Sequence, residues 1–301
     1  PIFGYRFMVG SMSAIAILLC LEASRRTMGW TLSLVAGAFL LYAFFGQYLP
    51  GDFGHNGYTL KRILEQMYFT SEGIYGVAIY TTASFVFTFI VFGAMLQASG
   101  GGKAFIDLAF ALTGRFRGGP AKAAVVGSGL MGTISGSSFA NVASTGIFTI
   151  PLMKNVGYKP EFAGGVEAAA SSGGQIMPPV MGAAAFIMAE MTGIPYNQII
   201  IYAALPAILY YLSIFLMVDF RAAKSGLMGL PKEALPDLKE TLKKSIFLMA
   251  GPVSILVMLL IGYTPIKASF YAVIVVFVAS LFRKDTRLTL PKLLYALESG
   301  A

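Results

Sequence analysis

The chain has 301 residues, of which 56% are hydrophobic and 12% are charged, with a formal net charge of +8. A soluble domain carries about twice that fraction of charged residues, so the composition excludes an ordinary soluble domain. The mean hydropathy of +0.73 indicates a polytopic helical membrane protein. The single cysteine, Cys20, excludes a disulfide framework.

Seven segments are predicted to cross the membrane, because a hydrocarbon core of ~30 Å takes about 20 helical residues. In chain order they are 7–21, 30–49, 73–97, 162–189, 197–218, 246–263 and 265–282. The fold class is therefore all-α and polytopic. Residues 58–70 have the pattern of an amphipathic interfacial helix on the outer side. The apolar part of 101–120 is too short to span and is expected to lie at the inner interface.

Residues 120–153 are predicted to form a re-entrant helical hairpin with arms of roughly half a span each. An apolar arm leads to the polar middle "SSFAN", and a second arm descends to basic residues. The polar residues that distinguish this stretch are Thr133, Ser135, Ser137, Ser138, Asn141 and Thr145. Irregular backbone at membrane depth is tolerated only inside protein or beside an aqueous cavity, so this stretch should not face lipid.

The next crossing, 162–189, is predicted to be a broken helix. It contains Gly173–Gly174 and Pro178–Pro179 near its centre, and these residue types unwind helices. A re-entrant tip followed by a broken helix is typical of a transporter binding site.

The positive charges give the topology. With Arg25 and Arg26 in the cytoplasm, 18 Lys and Arg residues fall in inner loops and three in outer loops. This split requires residues 120–153 to enter and leave on the same side. Because the basic residues mark loops, they indicate no nucleic-acid partner, and the lipid bilayer is the expected surrounding.

No motif supports an enzyme, so we expect no catalytic residues and no cofactor. The run "GSGLMG" has the glycine spacing of a dinucleotide site but has no acidic residue about 20 positions later. The only histidine, His55, is predicted to lie in an outer loop, and no His, Cys and carboxylate cluster suits a transition metal.

Hydroxyl, amide and unwound carbonyl oxygens suit a hard cation such as Na⁺, and helix N-termini at the breaks favour an anionic substrate group. The candidate residues for the ion and solute are Ser135, Gly136, Ser137, Ser138, Asn141, Ser172, Gly173, Gly174, Gln175 and Pro178. We expect Na⁺ at Ser135, Ser137, Asn141 and Gly174, with H⁺ as the alternative coupling ion. Helix packing by small polar residues is the competing interpretation.

Glu167 is a second candidate, because an intramembrane carboxylate is a functional hypothesis by default. It precedes Ser171 by four positions, so the two share a helix face. We expect Glu167 either to couple a proton or ion, or to pair with Lys154 or Lys159 at the inner interface.

The stretch "GTISGSSFANVASTGIFTIPLMKNVGYKPEFAGGVEAAASSGGQIMPPVMGAAAFIMAE" resembles the large membrane subunit of TRAP (tripartite ATP-independent periplasmic) transporters. The fused permease that works with TAXI-type binding proteins is the nearest match. The resemblance implies one part of an inverted-repeat elevator transporter, and the chain matches the first repeat, because nothing after Ser245 repeats "SGSS" or "GGQIMPP".

The resemblance implies an ion-coupled permease of the bacterial or archaeal inner membrane that imports an organic anion. The implied partners are a periplasmic substrate-binding protein and the remaining transporter half or a small membrane subunit. A non-transporting assembly subunit and an intramembrane enzyme are the alternatives. The predicted segments are 1–72, 73–119, 120–190 for the transport domain and 191–301 for scaffold helices, and the start at Pro1 suggests an excerpt of a longer protein.

Overall fold

A computed structural model describes residues 2–283 and 286–300 of the chain. Pro1 and Ala301, at the ends of the predicted segments 1–72 and 191–301, lie outside the described residues, as do Lys284 of the predicted inner loop and Asp285. The described residues form helices and turns without a β-strand, which confirms the all-α fold class.

The helices follow one another in this order: α1 (Ile2–Met28), α2 (Trp30–Phe45), α3 (Leu60–Phe69), α4 (Val77–Thr81), α5 (Phe87–Ala98), α6 (Gly101–Thr113), α7 (Gly119–Ser135), α8 (Ser138–Asn155), α9 (Pro160–Ser172), α10 (Ala183–Thr192), α11 (Tyr196–Lys224), α12 (Leu238–Leu260), α13 (Pro265–Leu281) and α14 (Leu290–Gly300). A π-helical stretch, Thr82–Val86, joins α4 to α5, and short 3₁₀ turns follow α2 and α9.

Three helices of the described residues are long and apolar enough to cross a membrane: Trp30–Tyr48, Val77–Ala98 and Tyr196–Lys224. Shorter apolar helices are Ala183–Thr192, Ser245–Leu260 and Pro265–Leu281. These helices support a membrane protein, and the count of seven crossings stays a prediction.

The described residues form two compact units, one that runs through Tyr80 and one that begins at Thr81. In the first, α1 contacts both α2 and α3. Helix α3 coincides with the predicted amphipathic segment and begins where the Thr59 hydroxyl accepts a hydrogen bond from the Arg62 amide. His55 has a local structural role, because Nδ1 accepts from the Gly57 amide and Nε2 lies 3.0 Å from the Tyr42 carbonyl oxygen.

The second unit is built around α7, which is buried along most of its length. On one side, Met131 and Ile134 join an apolar cluster with residues of α5, α12 and α13, including Phe92 and Ile255. On the other side, Val125 belongs to a cluster with residues of α8, α9 and α11. This burial is why α7 can be rich in glycine and alanine, since small side chains let neighbouring helices approach closely.

Helices α7 and α8 form an antiparallel hairpin, and glycine and capping residues define its ends. Gly118 precedes α7 in a left-handed conformation, Pro120 occupies the first turn, and Gly136 ends the helix at φ 57°. The Ser137 hydroxyl then accepts from the Ala140 amide and starts α8. The sequence predicted a hairpin, and the described backbone has one.

The expected half-span length of the arms is wrong. The arms have 17 and 18 residues, or about 25 and 27 Å at 1.5 Å per residue. Most of the polar residues named for this stretch are helical, since α7 continues to Ser135 and α8 begins at Ser138. Two of their hydroxyls bond to carbonyls of their own helix: Thr133 donates to Leu130 and Thr145 lies 2.8 Å from the Asn141 carbonyl oxygen.

Two other helices differ from the predicted pattern. Helix α12 begins at Leu238, eight residues before the predicted crossing at 246, because the Asp237 carboxylate caps it by accepting from the Glu240 amide. Helix α14 was not predicted, and it packs against α5 through an apolar face that includes Ala296.

The antiparallel hairpin predicts that the start of α7 and the end of α8 lie on the same side of the membrane. We expect single cysteines at Arg115 and Lys154, both exposed, to react with an impermeant maleimide from the same side, in a background where Cys20 is alanine. A cysteine at Ile194, in the turn between α10 and α11, serves as the opposite-side control. Labelling of Arg115 and Lys154 from opposite sides would contradict a re-entrant hairpin.

Candidate functional site

The hairpin tip, residues 135–138, lies directly against the helix break, which we define as residues 173–182. The Gln175 side-chain amide donates to the Ser138 hydroxyl at 2.7 Å. Gly136 packs so closely that a Cβ there would lie 1.9 Å from the Met181 carbonyl oxygen. The two irregular segments, separated by more than 30 residues in sequence, therefore form one surface.

One helical turn before the tip, the backbone of α7 touches the break. A Cβ placed on Gly132 would lie 2.5 Å from the Gly174 Cα, and one on Gly174 would lie 2.9 Å from the Gly132 Cα. The same Cβ on Gly174 would lie 3.3 Å from Nδ2 of Asn141. Neither glycine can carry a side chain, so the two main chains meet without an intervening layer of side chains.

Within the break, a 3₁₀ turn, Gly173–Gln175, continues α9, and α10 starts at Ala183. The peptide bond between Pro178 and Pro179 is cis. The Gly182 amide donates to the Gln175 carbonyl at 2.7 Å, which closes the loop on itself.

Tyrosines from α11 supply hydroxyl donors to carbonyls at and beyond the end of α9. Tyr210 and Tyr211 donate to the carbonyls of Ala169 and Ala170, each at 2.8 Å. Tyr196, at the start of α11, donates to the carbonyl of Pro179 at 3.1 Å and also contacts that of Val180. Because a buried carbonyl without a partner is costly, these hydroxyls stabilise the unwound backbone.

Below this contact, Glu167 is fully buried and is surrounded by four hydroxyl groups, which we call the hydroxyl cluster. Its members are Ser128 of α7, Thr145 and Thr149 of α8, and Ser171 of α9. Ser128 and Ser171 each lie 3.0 Å from Oε1, Thr145 also donates to Oε1, and Thr149 donates to Oε2. Three helices thus converge on one carboxyl group.

Asn141 connects the hydroxyl cluster to the tip. Its side-chain amide donates to the Ser128 carbonyl at 2.8 Å, and it is fully buried. The Thr145 hydroxyl lies 2.8 Å from the Asn141 carbonyl oxygen and 3.4 Å from Oδ1. Asn141 and the hydroxyl cluster therefore form one connected set of polar groups.

Residues 15–301 match the family model described as tripartite ATP-independent periplasmic transporter, DctM component. The chain belongs to this family. It is 31% identical over 215 residues to the C4-dicarboxylate TRAP transporter large permease protein DctM of Pseudomonas aeruginosa, covering 70% of this chain and 49% of the relative.

Two further relatives are named for other solutes. The sialic acid TRAP transporter large permease protein SiaM of Vibrio cholerae is 26% identical over 60% of this chain and 42% of its own length. The 2,3-diketo-L-gulonate TRAP transporter large permease protein YiaN of Escherichia coli is 26% identical over 67% of this chain and 48% of its own length. The chain spans about half the length of the curated relatives it matches.

In this permease-family chain, most of the predicted site residues come together, but with different exposures. Gly173, Gly174 and Asn141 are buried, and Gln175 is exposed beside the tip. The residues that are half-buried are Ser135, Gly136, Ser137, Ser138 and Pro178. Ser172 is not brought to the tip, because its exposed hydroxyl donates to the Ala168 carbonyl of its own helix.

Glu167 does not pair with Lys154 or Lys159, both of which are exposed. The expectation of an interfacial ion pair is therefore wrong, because α9 directs Glu167 inward against α7 and α8. The sequence did not single out Ser128 or Thr149. A usable signal existed for Thr149, since Asn141, Thr145 and Thr149 follow one another at four-residue spacing.

A charged cluster lies where α7 begins and α11 ends. Asp219 accepts from both Lys122 and Arg117, and it raises the pKa of the Arg117 guanidinium. Burial raises the pKa of the nearby Tyr158 hydroxyl to about 12, and the charge of Asp219 adds to the rise. These pairs attach the first arm of the hairpin to α11.

The close approach at Gly136 predicts a large effect of adding one methyl group. Gly136→Ala should lower the stability of the protein by more than about 1–2 kcal/mol, the cost of a left-handed L-residue, because its Cβ also clashes with the Met181 carbonyl. Thermal unfolding in detergent measures the effect.

Gly165→Ala is the matched control, since a Cβ at that helical position meets nothing within 4 Å. That change should leave the unfolding temperature unchanged or raise it slightly, because alanine is the better helix former. Equal unfolding temperatures for the two variants would contradict the close contact between tip and break.

Proposed function

We propose that the chain is part of the permease of an ion-coupled secondary transporter that imports an organic anion across the bacterial or archaeal inner membrane. The observation that carries this proposal is the packing of the hairpin tip against the helix break, with hydroxyl, amide and main-chain oxygen atoms gathered there. Paired backbone irregularities at membrane depth are a recurring way to build an ion and solute site.

Residues of the tip, of the break and of the first turn of α8 together suit a monovalent cation. Ser135, Ser137, Asn141 and Gly174 offer hydroxyl, amide and carbonyl oxygens without a fixed charge, so the empty site is tolerable inside a membrane. Na⁺ is the coupling ion that we propose for this set, with H⁺ as the alternative. Helix α8 begins at the tip, so its N-terminal amides favour a carboxylate of the solute nearby.

The names of the relatives support an organic anion as the transported solute. C4-dicarboxylates, sialic acid and 2,3-diketo-L-gulonate are chemically different, but each carries a carboxylate. We propose that a periplasmic substrate-binding protein of the TAXI type delivers the solute. The remaining transporter half or a small membrane subunit would complete the assembly, in which the hairpin and the broken helix move as an elevator.

Reconstitution tests this function. The native permease with its copurifying subunits in liposomes should take up a carboxylate only with an inward Na⁺ or H⁺ gradient and the loaded binding protein. A non-transporting assembly subunit would show no uptake under any gradient. Uptake without any ion gradient would contradict secondary coupling.

Two substitutions, one at the tip and one in the first turn of α8, should change the ion dependence of uptake. Asn141→Ala and Ser137→Ala each remove a proposed ligand, so each should raise the Na⁺ concentration for half-maximal uptake by roughly tenfold, the equivalent of about 1.4 kcal/mol. Initial uptake rates across a range of Na⁺ concentrations measure this effect.

Ser213→Ala is the matched control, because this exposed hydroxyl on α11 donates only to the Tyr210 carbonyl of its own helix. It should keep the wild-type Na⁺ dependence. Unchanged Na⁺ dependence in both Asn141→Ala and Ser137→Ala, with normal expression, would assign these two residues to helix packing.

A further inference from the structure

A cavity of about 360 Å³ lies in the first unit, between the end of α2 and helix α3. Three apolar and three polar side chains line it: Ala43, Ile63, Met67, Tyr58, Arg62 and Gln66. The first unit ends at Tyr80, so the candidate site around the tip does not include this cavity. Its mixed lining suits a ligand that has both a polar and an apolar part.

The polar side chains of the cavity can all donate hydrogen bonds. The Arg62 guanidinium presents N–H groups in a planar fork, the Tyr58 hydroxyl can donate one bond and the Gln66 amide can donate two. Beyond the helix ladder, the hydrogen bonds of Arg62 and Gln66 use only main-chain atoms: the Arg62 amide and the Gln66 carbonyl. Both side chains are therefore open to a ligand that accepts hydrogen bonds.

Arg62 also supplies a positive charge that no carboxylate in the described part of the chain neutralises. The neighbouring cation, Lys61, is paired with Glu65 at 3.6 Å, whereas Arg62 takes part in none of the ion pairs of the described residues. Its guanidinium lies 5.3 Å from the centre of the Tyr58 ring. No Asp or Glu of the described residues lines the cavity, so the cavity favours an anionic group.

The wall that Tyr58 forms is fixed by its neighbours. The Tyr58 amide donates to the Ala43 carbonyl at 3.1 Å, which attaches the segment before α3 to the end of α2. The His55 ring packs against Tyr42 and Tyr58, with ring centres 4.8 and 5.3 Å away. It fits over Gly46, where a Cβ would lie 1.9 Å from Nε2. This wall of the cavity is therefore set by the protein itself, which lowers the cost of ordering a ligand there.

An exposed apolar face of α2 continues the cavity along the helix. Counted back from Ala43, the residues Phe39, Val35 and Leu32 recur at intervals of three or four and so share one face. Their exposed fractions are 68%, 48% and 50%. Helix α2 lies in a segment long and apolar enough to cross a membrane, and none of its residues is buried. A hydrocarbon chain that leaves the cavity can therefore lie along α2.

We propose that the cavity binds the headgroup of an anionic phospholipid whose acyl chain lies along the exposed face of α2. The fork of Arg62 matches two oxygens of the phosphate, and Tyr58 and Gln66 donate to the others. The volume of about 360 Å³ is near the lower end for ligand pockets, which suits a headgroup and leaves the chain outside.

A lipid explains more of this surface than a soluble phosphate compound does. A soluble anion would use the three donors but would leave the apolar face of α2 uncovered. Residues 58–70 are predicted to lie at the outer interface, so the lipid belongs to the outer leaflet, where its chain runs from α3 toward the start of α2.

Site-directed photocrosslinking tests this proposal in the native permease with its copurifying subunits. The photoreactive residue p-benzoyl-phenylalanine replaces Phe39, and the protein is irradiated in vesicles of equimolar phosphatidylglycerol and phosphatidylethanolamine with identical acyl chains. Mass spectrometry of the labelled peptide gives the ratio of the two lipid adducts. The same residue at Ile208, an exposed apolar position of α11, gives the reference ratio.

The ratio of phosphatidylglycerol to phosphatidylethanolamine adducts should be about fivefold higher at position 39 than at position 208. This factor is the equivalent of ~1 kcal/mol, the attraction of one basic side chain to an anionic lipid surface. Arg62→Gln should lower the ratio at position 39 to the reference value. Tyr58→Phe keeps the ring and removes one donor, so it should lower the ratio by roughly twofold.

Lys61→Gln is the matched control, because it makes the same change of charge at the neighbouring residue, which does not line the cavity. It should keep the fivefold enrichment. Equal losses in Lys61→Gln and Arg62→Gln would reduce the effect to a diffuse attraction and overturn the site.

Three further outcomes would also overturn the proposal. Equal adduct ratios at positions 39 and 208 would show that the cavity does not select the anionic lipid. Loss of the enrichment when inorganic phosphate is added would assign the cavity to a soluble anion. A protein adduct in place of a lipid adduct would show that a subunit covers this face of α2.

Discussion

Gly132 of α7 and Gly174 of the break lie in main-chain contact, and the rest of the candidate site depends on that contact. Any side chain at either position would separate the hairpin from the broken helix. The separation would remove the Gln175 bond to Ser138 and would move Asn141 away from the break. Two residues without side chains thus allow the polar groups of four helices to meet.

A close contact between irregular main chains creates a demand for hydrogen-bond partners. Part of this demand is met by tyrosine, since Tyr196, Tyr210 and Tyr211 reach carbonyls of α9 and of the break. A tyrosine suits this position because its ring is apolar and its hydroxyl is polar. Helix α11 is long and apolar enough to be a candidate membrane span. Through its tyrosines it also supports the irregular backbone.

The sequence predicted the hairpin, the broken helix and most of the residues at their contact, because glycine, proline and serine runs leave strong local signals. It could not predict the distribution of roles among them. Ser172 and Ser171 are adjacent, yet only Ser171 turns toward Glu167, since the helix phase decides which one is buried. Ser128 was not found because its neighbours in sequence are small and apolar, and its role comes only from long-range packing.

The arm lengths and the position of Glu167 show a similar limit. The polar run "SSFAN" suggests a longer interruption than the structure has, since α7 ends at Ser135 and α8 already begins at Ser138. The sequence allows Glu167 to lie near the inner interface, where Lys154 and Lys159 would be its partners. The direction in which α9 enters the bundle could not be read from spacing alone, and that direction places the carboxyl group among hydroxyls.

The neutral surroundings of Glu167 bear on how the membrane voltage acts on this family member. Moving one elementary charge across the membrane potential changes its energy by about 2.3 kcal/mol per 100 mV. The four hydroxyls around Glu167 carry no charge, so the charge of this cluster is that of the carboxyl group alone. A protonated carboxyl leaves the cluster neutral, whereas a carboxylate gives it one negative charge. Voltage would therefore act on the ionised form and leave the protonated form largely unaffected.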